Sequence, residues 1–172
     1  MQRVPVPYDH QLSKTLSTLA DMGLLLSARD SSGRSNAMTI GWGTVGIIWG
    51  RPVFVVLVRP SRFTYSLIES SHEFIVNVPT AEMRRWVAFC GSHSGRDHDK
   101  LSEFGMTVTP GQHVHAVTID ACPMVYECRS IHYNDVIPNH LDSDIEKRSY
   151  GGSDYHRVYY GQILGTYAAP DY

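Results

Sequence analysis

Three polar blocks interrupt an otherwise apolar, strand-like chain: Ser35 to Trp42 (SNAMTIGW), Arg59 to Tyr65 (RPSRFTY) and Cys90 to Lys100 (CGSHSGRDHDK). Each sets hydroxyl, glycine or cationic residues where an apolar run stops, which is where a chain can grip an anionic, ring-bearing ligand. In the second block Arg59, Ser61, Arg62 and Thr64 stand where a strand gives way to a short helix, so side-chain donors join free backbone N–H groups. In the third, Ser92, Ser94, Gly95, Arg96 and Lys100 make a second cluster suited to phosphate. The first block suits a flat ring: Ala37 and Gly41 let backbone groups approach closely, and Thr39 can donate or accept. Taken singly, each block reads equally well as a helix cap, a solvated loop or a strand without a ligand.

Other motifs carry less. Gly41, Gly43 and Gly46 spell the dinucleotide fingerprint GxGxxG, but that motif needs a helix N-terminus behind it, and Ile47 to Pro52 leaves no room for one. GSHSG (Gly91 to Gly95) resembles a nucleophile elbow with His93 where serine must sit. Among nine histidines, a strand would place His113 and His115 on one face, and His93 lies near His98. Neither pair has a third metal ligand, so no metal is expected.

Composition bounds the rest. With 172 residues and 42% apolar content, the chain fits one domain with a sizeable core. Fifteen Lys plus Arg against seventeen Asp plus Glu, net charge −2, leaves no basic footprint for nucleic acid. The N-terminus lacks a signal-peptide core, and no apolar stretch approaches the ~18 residues of a membrane span. A cytoplasmic protein is expected. Cys90, Cys122 and Cys128 have neither zinc nor redox spacing and read as free thiols.

The elements that must position these blocks are strands. Residues 1–15 read as an extended lead-in, with a short helix or irregular segment over Gln11 to Ala20. Met22 to Ala28 and Asn36 to Trp49 read as extended, the latter with glycines that permit bending, and Gly50 to Pro52 as a turn. Val53 to Val58 (VFVVLV), bounded by Pro52 and Pro60, reads as a buried strand, and Phe74 to Val78 as another β-type run, stopped by Pro79. Thr80 is placed to cap a helix over Ala81 to Cys90, ended by Gly91, whose apolar face Met83, Trp86, Val87 and Cys90 puts Cys90 in the core. Val125 to Tyr133 and Arg157 to Tyr167 are late strands, and Asn134 to Gly152 is a long polar loop. Strands with short helices and no βαβ rhythm indicate a mainly β, antiparallel barrel or sandwich.

In order and spacing, SNAMTIGW, RPSRFTY, EFIVNVP (Glu73 to Pro79), CG..SGRD.DK and YYGQI (Tyr159 to Ile163) resemble the flavin reductase-like family, closest to its flavoredoxin-type branch, from about Leu16 to Tyr167. The resemblance implies a six-stranded antiparallel Greek-key split β-barrel that forms a homodimer and binds FMN near the subunit interface. It implies FMN contacts from Asn36, Ala37, Met38, Thr39, Ile40, Gly41, Trp42, Arg59, Ser61, Arg62, Thr64, Tyr65, Cys90, Gly91, Ser92, Ser94, Gly95, Arg96 and Lys100, with Asn77 in or near the pocket. His156 falls where many flavin reductases carry a catalytic histidine, although SDYHR departs from their GDH motif, and Gln162 replaces a common Glu. The implied activity is electron transfer from NADH or NADPH through flavin to an acceptor. A flavoredoxin-like carrier serving a redox partner protein is the alternative, as is a non-catalytic flavin or haem binder with His156 or His132 as axial ligand.

Overall fold

The computed structural model describes residues 1–172. Its strands are β1 (Val4–Pro5), β2 (Leu24–Arg29), β3 (Ser35–Ile40), β4 (Gly43–Ile48), β5 (Arg51–Val58), β6 (Glu73–Val78), β7 (Val108–Pro110), β8 (Val117–Ile119), β9 (Met124–Asp135) and β10 (Arg157–Ala168). Helices are α1 (Leu12–Asp21), α2 (Phe63–Ser71), α3 (Arg84–Ser92), α4 (Lys100–Glu103) and α5 (Ser143–Ser149). All pairings are antiparallel, and one 8-stranded sheet runs β3-β2-β6-β9-β10-β5-β4 with β1 added beside β10. The mainly β class is as expected, but the strand count is larger than six, because β1 extends the sheet and Gly41 and Trp42 divide one long extended segment into β3 and β4.

That division shapes the barrel. β3 and β4 are the two ends of the hydrogen-bonded path, yet only Gly41 and Trp42 separate them in sequence. Three Cα steps span at most ~11 Å, so the sheet must curl until its first and last strands nearly meet. No ladder joins them, and the barrel is split there.

Both faces of the sheet are covered. Leu24, Leu26, Phe54, Val56, Phe74, Val76, Tyr126 and Tyr159 fill the barrel interior. On the other face Leu25 and Ala37 pack with Val87 and Cys90 of α3. Residues of β2 and β6 are therefore buried on both sides, in keeping with the apolar stretches Leu24–Leu26 and Phe74–Val76.

Several boundaries differ from expectation. The β4–β5 turn sits on Trp49 and Gly50, both left-handed at φ 52° and 69°, and Pro52 lies in β5 opposite Ile47. Two left-handed central residues make this a type I′ two-residue hairpin, and a tryptophan supplies one of them against its preference. The N-terminal segment is strand and helix rather than a lead-in to residue 15. Residues 134–152 are not a loop: β9 continues to Asp135, Pro138–His140 forms one 3-10 turn, and Asp142 caps α5 through the N–H groups of Asp144 and Ile145. Thr80 makes no side-chain cap, and α3 runs one residue past Gly91. His113 and His115 sit in the bend between β7 and β8, not on a strand. No helix is long and apolar enough to cross a membrane.

Candidate functional site

Two adjoining cavities open where β3, the start of α2 and the end of α3 converge. The inner one, about 60 Å³, is lined by Asn36, Met38, Thr39, Ser61, Arg62, Phe63, Thr64, Cys90, Gly91, His93, Ser94, Gly95 and Lys100. We call it the cradle. The outer one, about 210 Å³, is lined by Met38, Thr39, Ile40, Gly41, Trp42, Leu57, Arg59, Arg62 and His156. Met38, Thr39 and Arg62 belong to both.

The cradle is held from within the core. Asn36 on β3 donates from Nδ2 to Oγ1 of Thr64 in the first turn of α2 at 2.8 Å, and both residues are buried. Gly95 lies against that amide so closely that a Cβ there would stand 2.2 Å from Asn36 Oδ1. Thr39 donates to the Val87 carbonyl, fixing β3 to α3. Lys100, 2% exposed, donates to the carbonyls of Cys90 and His93 at 3.0 and 3.1 Å, so its cation caps the C-terminal end of α3. Burial lowers its pKa, with Arg62 adding to the effect against Cys90. Burial likewise raises that of Cys90, leaving it a core thiol.

What the cradle offers a ligand is a set of unused donors. Arg62 caps α2 without a side-chain bond, and its guanidinium has no hydrogen-bond partner or ion pair in the chain. The backbone N–H groups of Phe63 and Thr64 are likewise free of acceptors. The Thr64 hydroxyl receives a proton from Asn36 but has no acceptor for its own. Lys100 keeps a third N–H beyond the two it spends. A free guanidinium, two helix-terminal amides and a buried hydroxyl at one point make an anion site.

The outer cavity is built differently. Trp42, between β3 and β4, is 44% exposed and packs at a tilt against His156 with ring centroids 5.0 Å apart. His156 is buried, and its Nδ1 is 2.8 Å from the Tyr150 hydroxyl. Burial, then the neighbouring Arg59 and Arg62 cations, push its pKa down to about 4 against the pull of Asp154, so the imidazole is neutral near pH 7. The segment carrying it, residues 149–156, is strapped across the end of β5. Arg59 donates to the backbone carbonyls of Ser149 and Asp154, and Asp154 accepts from the N–H and hydroxyl of Ser61 at 3.1 and 2.6 Å.

Most residues expected at the site do line these two cavities; Ala37, Tyr65, Asn77, Ser92 and Arg96 line neither. Ala37 faces the α3 core, and Tyr65 packs against the barrel core beside Tyr159. Asn77 is spent inside the sheet, donating to Leu25, Ser27 and Ile75 and accepting from Ile119 N–H. Ser92 bonds back to Ala88. Arg96 reaches Ser61 O and lines a neighbouring groove with Arg34, which donates to Gly95 O. Ser61 lines the cradle, but its N–H and hydroxyl are already taken by Asp154. Phe63, Tyr150 and Asp154 carry no signal of their own in the sequence reading, and His93 enters there only through GSHSG and its spacing to His98, not as a cradle residue. The short Asp-x-His spacing of Asp154 and His156 was the one signal that could have found the strap.

Residues 16–171 match the model of the "Flavin reductase like domain". The chain belongs to this flavin reductase-like family. An uncharacterized protein of Archaeoglobus fulgidus is 32% identical over 98 residues, covering 57% of this chain and 55% of the relative. The chain thus spans about half the length of the curated relatives it matches. Among solved members of the flavin reductase-like fold, flavoredoxin of Desulfovibrio vulgaris superposes with a TM-score of 0.69 at 23% identity, over 87% of this chain and 70% of its own. An FMN-binding domain of a flavin reductases-like enzyme from Shewanella baltica gives 0.68 at 20% identity, over 97% and 77%. At these identities the structural likeness establishes the split-barrel fold.

Proposed function

We propose that the protein binds FMN and acts as a flavin oxidoreductase, accepting electrons from NADH or NADPH and passing them to an acceptor. The observation that carries this reading is the unspent donor set of the cradle next to a ring-sized cavity, in a chain of the flavin reductase-like family. The phosphate would be held by Arg62, the Phe63 and Thr64 N–H groups, the Thr64 hydroxyl and the remaining Lys100 N–H. The ring would lie in the outer cavity among Met38, Ile40, Trp42 and Leu57, beside His156. Bound flavin would supply the redox chemistry itself.

The chain's own residues then have three tasks. Arg62 and the α2 N-terminus fix the phosphate end, so that the ring is oriented by a distant anchor. Trp42 and Leu57 exclude water from one side of the cavity. Neutral His156 offers a hydrogen bond to the ring or the nicotinamide without placing a charge there. The exposed apolar side chains of Ile47, Trp49 and Tyr133 support a homodimer.

The purified protein, its visible spectrum, the identity of released flavin, and anaerobic addition of NADH or NADPH test this directly. FMN release and bleaching by either nicotinamide are expected. A colourless protein that takes up no FMN overturns the binding reading. Bound flavin that neither nicotinamide reduces leaves the carrier role named for flavoredoxin, with electrons supplied by another protein.

A further inference from the structure

We propose that Tyr150 is a positioning residue whose hydroxyl donates to Nδ1 of His156, thereby holding the imidazole in one tautomer with Nε2–H as a fixed donor toward the outer cavity. The Tyr150 hydroxyl and His156 Nδ1 are 2.8 Å apart, and neither atom has another partner in the chain. If the imidazole were the donor, the phenol proton would be left without an acceptor in a half-buried site. With the phenol as donor, its proton is satisfied and the ring proton sits on Nε2. Nε2 has no protein partner and retains access to solvent, on a residue that lines the outer cavity.

The phenol is itself immobilised. Arg59 lies 5.1 Å from the centre of the Tyr150 ring, and Tyr155 stacks on it at 4.8 Å. Tyr155 is tied in turn through its hydroxyl to Glu146 of α5 at 3.1 Å. Trp42 packs against both Tyr150 and His156. The charged groups facing His156 are Arg59 at the end of β5, Arg62 at the start of α2 and Asp154 on its own strap. The two cations oppose an imidazolium, so the histidine serves as a neutral donor to a carbonyl or ring nitrogen acceptor. It is not a proton-releasing acid. This gives a role to α5 and its flanks, which join the paired strands β9 and β10 and end against the site: they deliver Tyr150.

The functional consequence rests on the flavin reading above; the tautomer does not, and the test separates them. In uniformly ¹⁵N-labelled protein without added ligand, long-range ¹H–¹⁵N correlations report which ring nitrogen of His156 carries the proton, with His156→Gln identifying the signal. Wild type is expected to show the Nε2–H form alone at pH 7.5, and Tyr150→Phe a mixture of both forms. Nδ1–H in wild type, or an unchanged pattern in Tyr150→Phe, overturns the proposal. In stopped flow, Tyr150→Phe is expected to slow flavin reduction by the nicotinamide about tenfold while the FMN Kd stays within about threefold. Equal reduction rates in the two proteins would also overturn it. Absence of FMN binding in wild type would instead strike the flavin reading and leave the tautomer result standing.

Discussion

At the cradle, Asn36, Thr64 and Lys100 are buried on β3, α2 and α4; Asn36 donates to Thr64, while Lys100 donates to the Cys90 and His93 carbonyls at the end of α3. At the outer cavity, Trp42 is 44% exposed, and His156 depends on a strap fixed by Arg59, Ser61 and Tyr150. The first region cannot change shape without disturbing the packing of α2 and α3 on the sheet. The second is held by a handful of exposed and half-buried hydrogen bonds outside the core, and can rearrange by releasing them. Such a division suits a protein whose ligand is anchored at one end and reacts at the other: affinity is built into the fold, while access and chemistry are left to a movable cover.

The most damaging way to break this contrast is Gly95→Ala. The added methyl would stand 2.2 Å from Asn36 Oδ1 and 2.6 Å from its Cγ, pushing the amide off Thr64. The expected cost is about 1–3 kcal/mol of stability, with a fall of several degrees in Tm. FMN binding should weaken at least about a hundredfold. If FMN titration and a thermal melt both match wild type, the cradle is more plastic than its packing implies.

Arg62→Ala separates binding from folding at the same end. Its guanidinium bonds to nothing in the chain, so Tm of the ligand-free protein should stay unchanged. Loss of a charge-assisted bond to phosphate should weaken FMN by about 10- to 100-fold, roughly 1.5–3 kcal/mol, and flatten the salt dependence of binding. Equal FMN affinity in isothermal titration would remove Arg62 from the phosphate site.

At the other end, pH probes the strap. His156 has its pKa lowered to about 4 from an ordinary 6.5. As pH falls through 6.5, the unfolded chain takes up a proton that the native chain refuses until about pH 4, so stability is lost across that window. Relative to His156→Gln, wild type should lose about 2 kcal/mol between those limits, measured by urea denaturation at each pH. Parallel curves for the two proteins would mean that the imidazole is not held neutral.

The sequence made the scaffold of both regions legible, and for a physical reason. Val53–Val58, between Pro52 and Pro60, and Phe74–Val78, stopped by Pro79, are buried on both faces or nearly so, and short runs of this β-rich composition read as strands. The three polar blocks mark strand and helix ends, and most of the residues that line the two cavities fall within them. What the pattern could not carry was contact between blocks: nothing local says that Gly95 rests on Asn36, or that Asn77 turns inward to bond β2 and β8. The β4–β5 turn was misplaced because Trp49 takes a left-handed conformation that its type disfavours, while Pro52 looked like the breaker. Helix α5 was legible in principle, with Asp142 at its cap, acidic residues in its first turn and Lys147 and Arg148 in its last, but its polar composition read as loop.

The smallest expected effect is also the sharpest test of whether the two regions are separate. Asp154 puts a carboxylate on Ser61, one residue from Arg62, and 3.8 Å from Arg59. Asp154→Asn keeps an acceptor for the Ser61 hydroxyl and tolerates the left-handed backbone at φ 54°, but removes the charge. If the strap is only a cover, losing a negative charge beside the cradle should tighten FMN by about two- to threefold, an effect that fades in high salt. Stability should change by less than about 1 kcal/mol, as for a partly exposed ion pair. Weaker FMN binding in the variant would mean the opposite: the Asp154 hook shapes the loop that carries Arg62, and anchor and cover form one mechanical unit.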